Sequence, residues 1–510
     1  MAVTAVRENQ ENTPTLSRGQ VQPLLPPWLR TGLTVLRQDC GGEFYLSGGS
    51  LRDLLLGREP HDIDLTVARH GVACARRLAE ASGGTFICLD AEEDVARVVC
   101  KGIVIDIAAF REGASTIEED LRLRDFTINA LALSLEGLLE GEGKDSDEPL
   151  ACLDPTGGLA DISERLIRMT HAGAFKSDPL RMLRAYRLAA SLGCTVDATT
   201  SETIRREHKL IARSAAERVA AELNGIMLSS GAHAAISAMA ANGLLFQVIP
   251  ELAAGAGLVQ PKSHHLDVLG HSLEALHQVE QLIARPESGF PACSPAMGAY
   301  LAEVGNILVL KWAALLHDLG KPATWAQDSS GDGRITFYQH ERAGVELVKR
   351  LAQRLRWSTK QCERVSLLVS QHMRPFHLLN VARQGELSLK ACIRLIQALG
   401  DELMGLLVLA QADALAGKGE QRPEDMENEV AGLALRLEEV RRERVLPVQT
   451  SPPLLSGRDL IEELGLQPGP LFKTILAQVE LERMEGVILS RDEALQLART
   501  MAAQGENSGG

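Results

Sequence analysis

No apolar run is long enough to cross a bilayer: the stretch around Asn306 to Leu316 is cut by Lys311, well short of the ~20 residues a span needs, so a transmembrane protein is excluded. No Cys-x-x-Cys pair occurs either. The nine cysteines are an odd number scattered from Cys40 to Cys392, which excludes a disulfide framework or a zinc knuckle and leads us to expect buried, inert, reduced thiols. Basic residues are the minority, 53 against 67 acidic, and the net charge of −14 excludes a surface that coats nucleic acid non-specifically, while leaving room for a local basic face. The opening residues, MAVTAVRENQENTPTLSRGQ, lack a basic start, an apolar block and a cleavage site, so a cytoplasmic location is expected. What is present is ordinary: 45% hydrophobic and 24% charged residues in 510, a length for about three or four domains.

Residues 1–27 are polar and aperiodic and are expected to be a mobile tail. After Trp28, β-like runs at Phe44 to Leu46, Ile63 to Val67, Thr85 to Leu89 and Ile103 to Ala108 alternate with helical patterns such as Val72 to Ala79. The segment Gly137 to Pro149 is acidic and rich in turn formers, which predicts an exposed connection. Beyond it no strands are expected, because from Ile162 to Leu495 nearly every segment repeats apolar residues at helical spacing. Ala284 to Pro295 reads as a surface loop, Val445 to Pro453 as a linker, and Ser490 with Glu493 as a capping box opening the final helix. The expected fold class is α+β: a head with a small mixed sheet over 28–150, then all-α regions over 151–258, 259–425 and 426–510.

The sharpest chemical signal is LSGGSLRDLLLGREPHDIDLTV, Leu46 to Val67. Gly48 and Gly49 follow a β-like run and precede a helical pattern, so backbone N–H groups at that helix start can face phosphate oxygens. Asp62 and Asp64 are two apart in a strand pattern, which turns both carboxylates to one face while Ile63 and Leu65 turn to the core. Two convergent carboxylates suit Mg²⁺, and Asp106, in IVIDIAAF, is the candidate third on a neighbouring strand. An isolated Asp-x-Asp is usually a solvated strand end, but one following a Gly-Gly turn by about a dozen residues is much rarer.

These residues resemble the class II tRNA nucleotidyltransferase and poly(A) polymerase group of the nucleotidyltransferase superfamily. The resemblance implies a nucleotidyltransferase-fold head with Asp62 and Asp64 as metal ligands and Arg52 and Asp53 as structural or triphosphate-site residues. LRLRDFTINALAL, Leu121 to Leu133, is similar to the group's Arg-Arg-Asp-Phe-Thr-Ile-Asn-Ala block, with Leu123 in place of its first Arg. By the resemblance Arg124 and Asn129 hold triphosphate or ribose and Asp125 reads sugar hydroxyls, roles that suit those side chains. DPTGGLADISERLIRM and KSDPLRMLRAYRLAA resemble the group's neck, and KSDPLRMLRAYRLAA is similar to its Glu-Asp-x-x-Arg base-reading motif, with Ser177 replacing Glu. Asp178 and Arg181, three apart at a helix start, can present an acceptor and a donor fork to one base edge. Between Arg165 and Arg187 stand six basic residues (Arg165, Arg168, Lys176, Arg181, Arg184, Arg187) and one acid, so nucleotide or RNA is expected there, with Arg184 and Arg187 joining Arg181 as nucleotide ligands.

A further resemblance, to HD-type phosphohydrolases, rests on LGHSLEAL, WAALLHDLGKPATW and LAQADALAG. His271, His317, Asp318 and Asp413 match that pattern in order, and imidazoles with carboxylates suit a divalent transition metal. His340 and His372 could support another metal or the phosphate. Together these resemblances place an RNA-binding neck in 151–258 and an HD domain in 259–425. They imply template-independent addition of CCA, or part of it, to the tRNA 3′ end from CTP and/or ATP, with a possible HD phosphohydrolase activity. Poly(A) polymerase is the competing expectation, and the non-basic ending MAAQGENSGG and the HD segment favour tRNA. An HD phosphohydrolase with a merely nucleotide-binding head would not need all of Asp62, Asp64 and Asp106, and a protein-modifying sensor would not need Asp178 and Arg181. Oligomeric state is left open, and no membrane partner is expected.

Overall fold

The computed structural model describes residues 14–37, 42–139, 146–327 and 334–506. The chain divides into two compact units, Met1–Val248 and Ile249–Gly510. Head and most of the neck lie together in the first of these units.

The first unit is built on a six-stranded mixed sheet, in the order Thr85–Asp90, Val95–Cys100, Ile103–Ala109, Ile63–Val67, Tyr45–Ser47, Ala132–Ser134. The period-two pattern decides its faces. Ile63, Leu65 and Val67 are buried with Ile105, Ile107 and Ala109, and the Gly71–Ser82 helix packs over the Val95–Cys100 and Ile103–Ala109 strands. Asp64 and Asp106 alternate to the opposite face, and the parallel pairing sets them directly beside each other. Gly48, at φ +63°, turns the Tyr45–Ser47 strand into the Gly48–Leu55 helix. Val95–Cys100 and Ala132–Ser134 are strands that the sequence pattern did not mark.

Part of the expected tail is folded. Leu16–Ser17 pairs with Pro149–Leu150, and Leu16, Arg18, Val21 and Leu25 are buried. Arg18 is held by the Gly137 carbonyl at 2.7 Å and by Glu148 at 3.2 Å, so a polar composition concealed a docked segment. The expected connection after Gly137 begins in a helix, Glu136–Leu139, with Leu138 buried; its residues 140–145 lie outside the described residues. Later strands exist too, as two-residue pairs: Leu166–Ile167 with Thr195–Val196, and Ala326–Gln327 with Ile335–Thr336. Such short pairs leave no periodicity to detect.

In the second unit the Val268–Ala284, Val304–Leu316 and Leu403–Ala416 helices pack together. Leu403–Ala416 is buried almost all round, which makes its Asp413 conspicuous. Lys311, buried within its helix, is matched by Glu280 at 2.9 Å. The expected loop at Ala284 to Pro295 contains a Pro286–Gly289 turn of helix and buries Phe290 and Cys293, and the expected linker contains the Leu446–Gln449 helix. The final helices, Pro470–Glu485 and Arg491–Glu506, enclose a core of Leu460, Ile475, Val479, Ile488, Ala494 and Ala498. Ser490 and Glu493 form the expected reciprocal cap, at 2.9 and 3.3 Å. Among the described residues, no single helix is long and apolar enough to cross a membrane. The expectation of buried, reduced thiols fails in part: Cys88 is exposed and Cys152, Cys194 and Cys362 are half-buried, and Cys74 is disulfide-bonded.

Candidate active site

Ser50 links the Gly-Gly turn to the acidic strand. Its amide donates to Asp64 Oδ2 at 3.0 Å, its hydroxyl donates to the Asp62 carbonyl at 3.1 Å, and Asp64 N–H donates to that hydroxyl at 2.6 Å. Gly48 and Gly49 lie tight against the acidic strand: a Cβ on either would stand 3.2 or 3.1 Å from Asp64 Oδ2, and the positive φ of Gly48 disfavours any other residue. Asp62 stands just before its strand, and carboxylate oxygens of Asp62, Asp64 and Asp106 lie within 4.8 Å of one another. Burial and then the Asp64 and Asp106 charges push the Asp62 carboxyl above its ordinary value. Three half-buried hard oxygen donors that repel one another fit a divalent cation. Arg97, which no sequence motif marks, clamps both oxygens of Asp106 at 2.7 and 2.8 Å; its strand was not recognised, so its register beside Asp106 could not be read.

The carboxylates open on a cavity of about 560 Å³ lined by Gly48, Gly49, Arg52, Asp125 and Asn129 and by Asp178, Arg181, Arg184 and Arg187. Every nucleotide-site residue expected from the sequence is thus brought to one hollow, but the roles differ. Arg124 also lines it, yet its guanidinium is buried and bound to Asp120 Oδ2 at 3.0 Å, Thr66 Oγ1 at 2.8 Å, Ser47 Oγ at 3.1 Å and the Asn129 carbonyl at 3.2 Å. Most of its donors are committed, so it braces the site more than it reaches for phosphate. Asp120, fully buried, also holds Arg111 at 3.0 Å, and Arg111 lines the cavity with fewer ties. Neither residue was singled out in sequence, because a buried Arg-Asp-Arg bridge spans elements that only folding brings together.

Asp125 is not open to a sugar on all sides. Its Oδ1 accepts from Phe126 N–H at 2.8 Å and Asn129 Nδ2 at 3.1 Å, and Arg184 pairs with its Oδ2 at 2.9 Å. Burial raises its carboxyl, but Arg184 and these donors outweigh that and hold it below its ordinary value. Asn129 Oδ1 accepts from Arg52 at 2.8 Å, and Arg52 Nε donates to Asp53 at 2.8 Å. Of the six basic residues expected to gather here, Arg165 donates to the Leu192 carbonyl, Arg168 pairs with Asp161 and Asp197, and Lys176 faces Glu207. These three have partners outside the cavity, and of the six only Arg181, Arg184 and Arg187 line it. Arg181 Nη1 is buried without a hydrogen-bond partner, and burial lowers the pKa of this guanidinium. A buried donor left open beside a carboxylate is what a planar polar ligand would satisfy.

The second unit holds a separate cluster. His271 lies in the Val268–Ala284 helix, His317 and Asp318 follow Val304–Leu316, His340 opens His340–Arg354, His372 follows Thr359–Gln371, and Asp413 lies on Leu403–Ala416. His271 Nε2 is 2.9 Å from Asp413 and 3.7 Å from Asp318; His317 Nε2 is 3.3 Å from Asp318; His340 Nε2 is 3.4 Å from it and 3.0 Å from His372 Nε2. All four expected ligands converge, with His340 and His372 completing another triad on Asp318. Nδ1 of His317, His340 and His372 each meets a backbone carbonyl, of Ala314, Phe337 and Val369, at 2.7–2.9 Å. That contact leaves Nε2 of each ring facing the cluster, where His317 Nε2 lies beside Asp318. This donor set fits one or two divalent transition metals. Burial lowers His317, but Asp318 and Asp413 outweigh it and raise it to about 9, while burial, then His317 and His340, lower His372 to about 3. Lys321 Nζ, 2.6 Å from Asp318 and 2.7 Å from Gln260 Oε1, and His264, whose ring lies 4.8 Å from that of His271, flank the cluster. Gly320 makes the convergence possible: a Cβ there would sit 2.0 Å from the His340 carbonyl. The cluster borders a cavity of about 900 Å³ whose walls include Arg334, Arg383 and Arg422.

Comparison with known proteins matches three segments of the chain. Residues 44–168 match the poly A polymerase head domain, 193–255 the probable RNA and SrmB-binding site of polymerase A, and 268–415 the HD domain. The chain is 33% identical to an A-adding tRNA nucleotidyltransferase of Deinococcus radiodurans over 88% of this chain and 93% of that one. It is 32% identical to a CC-adding tRNA nucleotidyltransferase of Thermus thermophilus over 88% and 91%. In structure it resembles the Thermotoga maritima CCA-adding enzyme complexed with tRNA, at a TM-score of 0.62 and 19% identity, over 96% of this chain and 99% of the other. That likeness concerns the fold.

Proposed function

Because the chain belongs to the tRNA nucleotidyltransferase family, we propose that it adds CCA, or part of it, to the 3′ end of tRNA from CTP and/or ATP, with no nucleic-acid template. The observation that carries this reading is a single cavity with three mutually close carboxylates and, on its wall, Arg181 with a buried Nη1 that has no hydrogen-bond partner. Asp62, Asp64 and Asp106 would hold Mg²⁺, which supplies charge neutralisation at the transferred phosphate. The chain's own residues do the rest. Gly48 and Gly49 let phosphate oxygens come near Asp64, Arg111 and Arg52 supply positive charge, and Asp178 with Arg181 presents an acceptor and a donor to the base edge. Asp125 and Asn129, fixed by Arg184 and Arg52, face the sugar. Such work on tRNA belongs in the cytoplasm. Incubation with tRNAs lacking one, two or three 3′ nucleotides and each NTP separately tests it; the expected outcome is extension with C, A or both, and extension of unrelated RNA into long A tails would reverse it in favour of poly(A) polymerase.

Another activity is supported by the convergence of His271, His317, Asp318 and Asp413 with His340 and His372. We read it as a metal-dependent phosphohydrolase acting on phosphoesters such as 2′,3′-cyclic nucleotides, with Lys321 beside the cluster to meet the phosphate. Release of phosphate or ring-opened nucleotide in the presence of a divalent transition metal tests that assignment.

A further inference from the structure

We propose that Arg97 competes with a divalent cation for Asp106 and thereby sets the metal concentration that the carboxylate site of the first unit requires. The inference rests on the nucleotide-addition reading above and adds to it a positioning residue that does not itself line the nucleotide cavity.

Arg97 and Asp106 face each other across the antiparallel Val95–Cys100 and Ile103–Ala109 strands, so their side chains leave the sheet on one face. Ala96 and Val98, on either side of Arg97, are buried on the other face. Asp64 lies in register with Asp106 on the next strand. Arg97, Asp106 and Asp64 therefore form a row across three strands, with the cation at one end of it. Asp62 closes the group, its carboxylate within 4.8 Å of the other two.

The Arg97 fork takes both oxygens of Asp106: Nε donates to Oδ1 at 2.7 Å and Nη2 to Oδ2 at 2.8 Å. Such a pair of parallel, charge-assisted bonds balances the carboxylate charge and uses one lone pair on each oxygen. Asp64, by contrast, accepts from a neutral donor, the Ser50 amide, at 3.0 Å. A divalent cation drawn to the three carboxylates thus meets, at Asp106, a group already neutralised by a guanidinium. Two positive charges on one carboxylate repel, so each weakens the hold of the other. Arg97 is able to yield, because its side chain is 35% exposed and solvent lies beside it. The contact consequently acts with opposite signs: Arg97 steadies the crowded carboxylates in the metal-free protein and opposes metal in the loaded one. A merely structural Arg97 would do only the former.

The test uses the full chain and reads metal binding apart from activity. Mn²⁺ binding is followed by the paramagnetic resonance of free Mn²⁺, in proteins that also carry Asp318→Ala to disable the cluster of the second unit. The Mg²⁺ midpoint of nucleotide addition to tRNA lacking its terminal nucleotides is measured separately, and melting is recorded with and without Mg²⁺. Arg97→Gln is expected to melt below wild type without metal and to gain more from added Mg²⁺. Its midpoints for Mn²⁺ binding and for Mg²⁺-dependent addition should fall by about three- to tenfold. Arg97→Lys, which keeps the charge and loses the fork, should fall between the two. In an Asp106→Asn background, adding Arg97→Gln should shift Mn²⁺ affinity by less than about twofold, because the effect runs through Asp106. Unchanged or weaker Mn²⁺ binding in folded Arg97→Gln overturns the inference, and so does a shift just as large with Asp106→Asn. Should Arg97→Gln fail to fold, wild-type midpoints in Arg97→Lys overturn it. In each of these cases the nucleotide-addition reading stands as long as wild type extends tRNA. Absence of Mg²⁺-dependent extension by wild type would instead overturn that reading, while tighter Mn²⁺ binding in Arg97→Gln would still uphold the competition at Asp106.

Discussion

Asp64 makes the strictest demand on its surroundings. It is bound to the Ser50 amide, would stand 3.1–3.2 Å from a Cβ at Gly48 or Gly49, and lies in register beside Asp106. Asp64→Asn keeps the size of the side chain and removes its charge, so nucleotide addition should fall to background while tRNA affinity measured by filter binding stays near wild type. Wild-type addition by that variant would refute the carboxylate assignment. Arg181 makes a different demand: its buried Nη1 has no partner, and leaving such a donor unmet costs free energy that a correct base recovers. Arg181→Ala is expected to narrow discrimination among the four NTPs by about 1–3 kcal/mol, with triphosphate affinity less affected because Arg111 and Arg52 remain. Competitive incorporation from mixed NTPs reads this directly; an unchanged ratio with slower turnover would make Arg181 a shaping residue only.

At the level of elements, short pieces position the site more than long ones do. The Gly158–Ser163 helix is capped by Asp154, whose Oδ1 accepts from the Gly157 and Gly158 amides at 2.8 Å each, and it presses on the Thr127–Asn129 turn. A Cβ on Gly158 would lie 2.1 Å from the Thr127 carbonyl. That carbonyl belongs to the turn carrying Asn129, so Gly158→Ala should cost about 1–3 kcal/mol of stability, as overpacking does, and raise the KM for NTPs by displacing Asn129 and Asp125. Thermal melting and steady-state kinetics together check it, and a variant with unaltered melting would show that the turn yields freely. Gly320 plays the same part in the second unit, where it admits the start of the His340–Arg354 helix to Asp318.

For the whole molecule, the consequence is two centres of different ligand chemistry on one chain: oxygen donors alone in the first unit, imidazole with carboxylate in the second. Each centre is complete within its own unit. Asp318→Ala removes the carboxylate shared by both triads, so the purified protein should lose bound transition metal, as measured by elemental analysis, and lose phosphoester hydrolysis. Nucleotide addition should continue at the wild-type rate. Loss of both activities in a folded protein would contradict the separation.

The amino-acid sequence by itself determined the chemistry. Gly48-Gly49, Asp62-x-Asp64, Asp178 with Arg181, and the His271, His317-Asp318, Asp413 series are legible because such chemistry needs particular side chains at spacings that strand and helix periods make interpretable. Long periodic elements were legible for the same reason, as with Ile63–Val67, found where alternation placed it. Tertiary structure alone decided which charges are free to act. Arg124 has the place of a ligand in its motif and is a buried brace, Arg168 has the place of RNA-binding charge and is held by Asp161, and Arg97 and Asp120 stand outside the motifs read from the sequence yet hold Asp106 and Arg124. These pairs lie four to nine positions apart in the chain, yet none makes a motif of its own; each exists only once backbone geometry has brought its partners within about 3 Å.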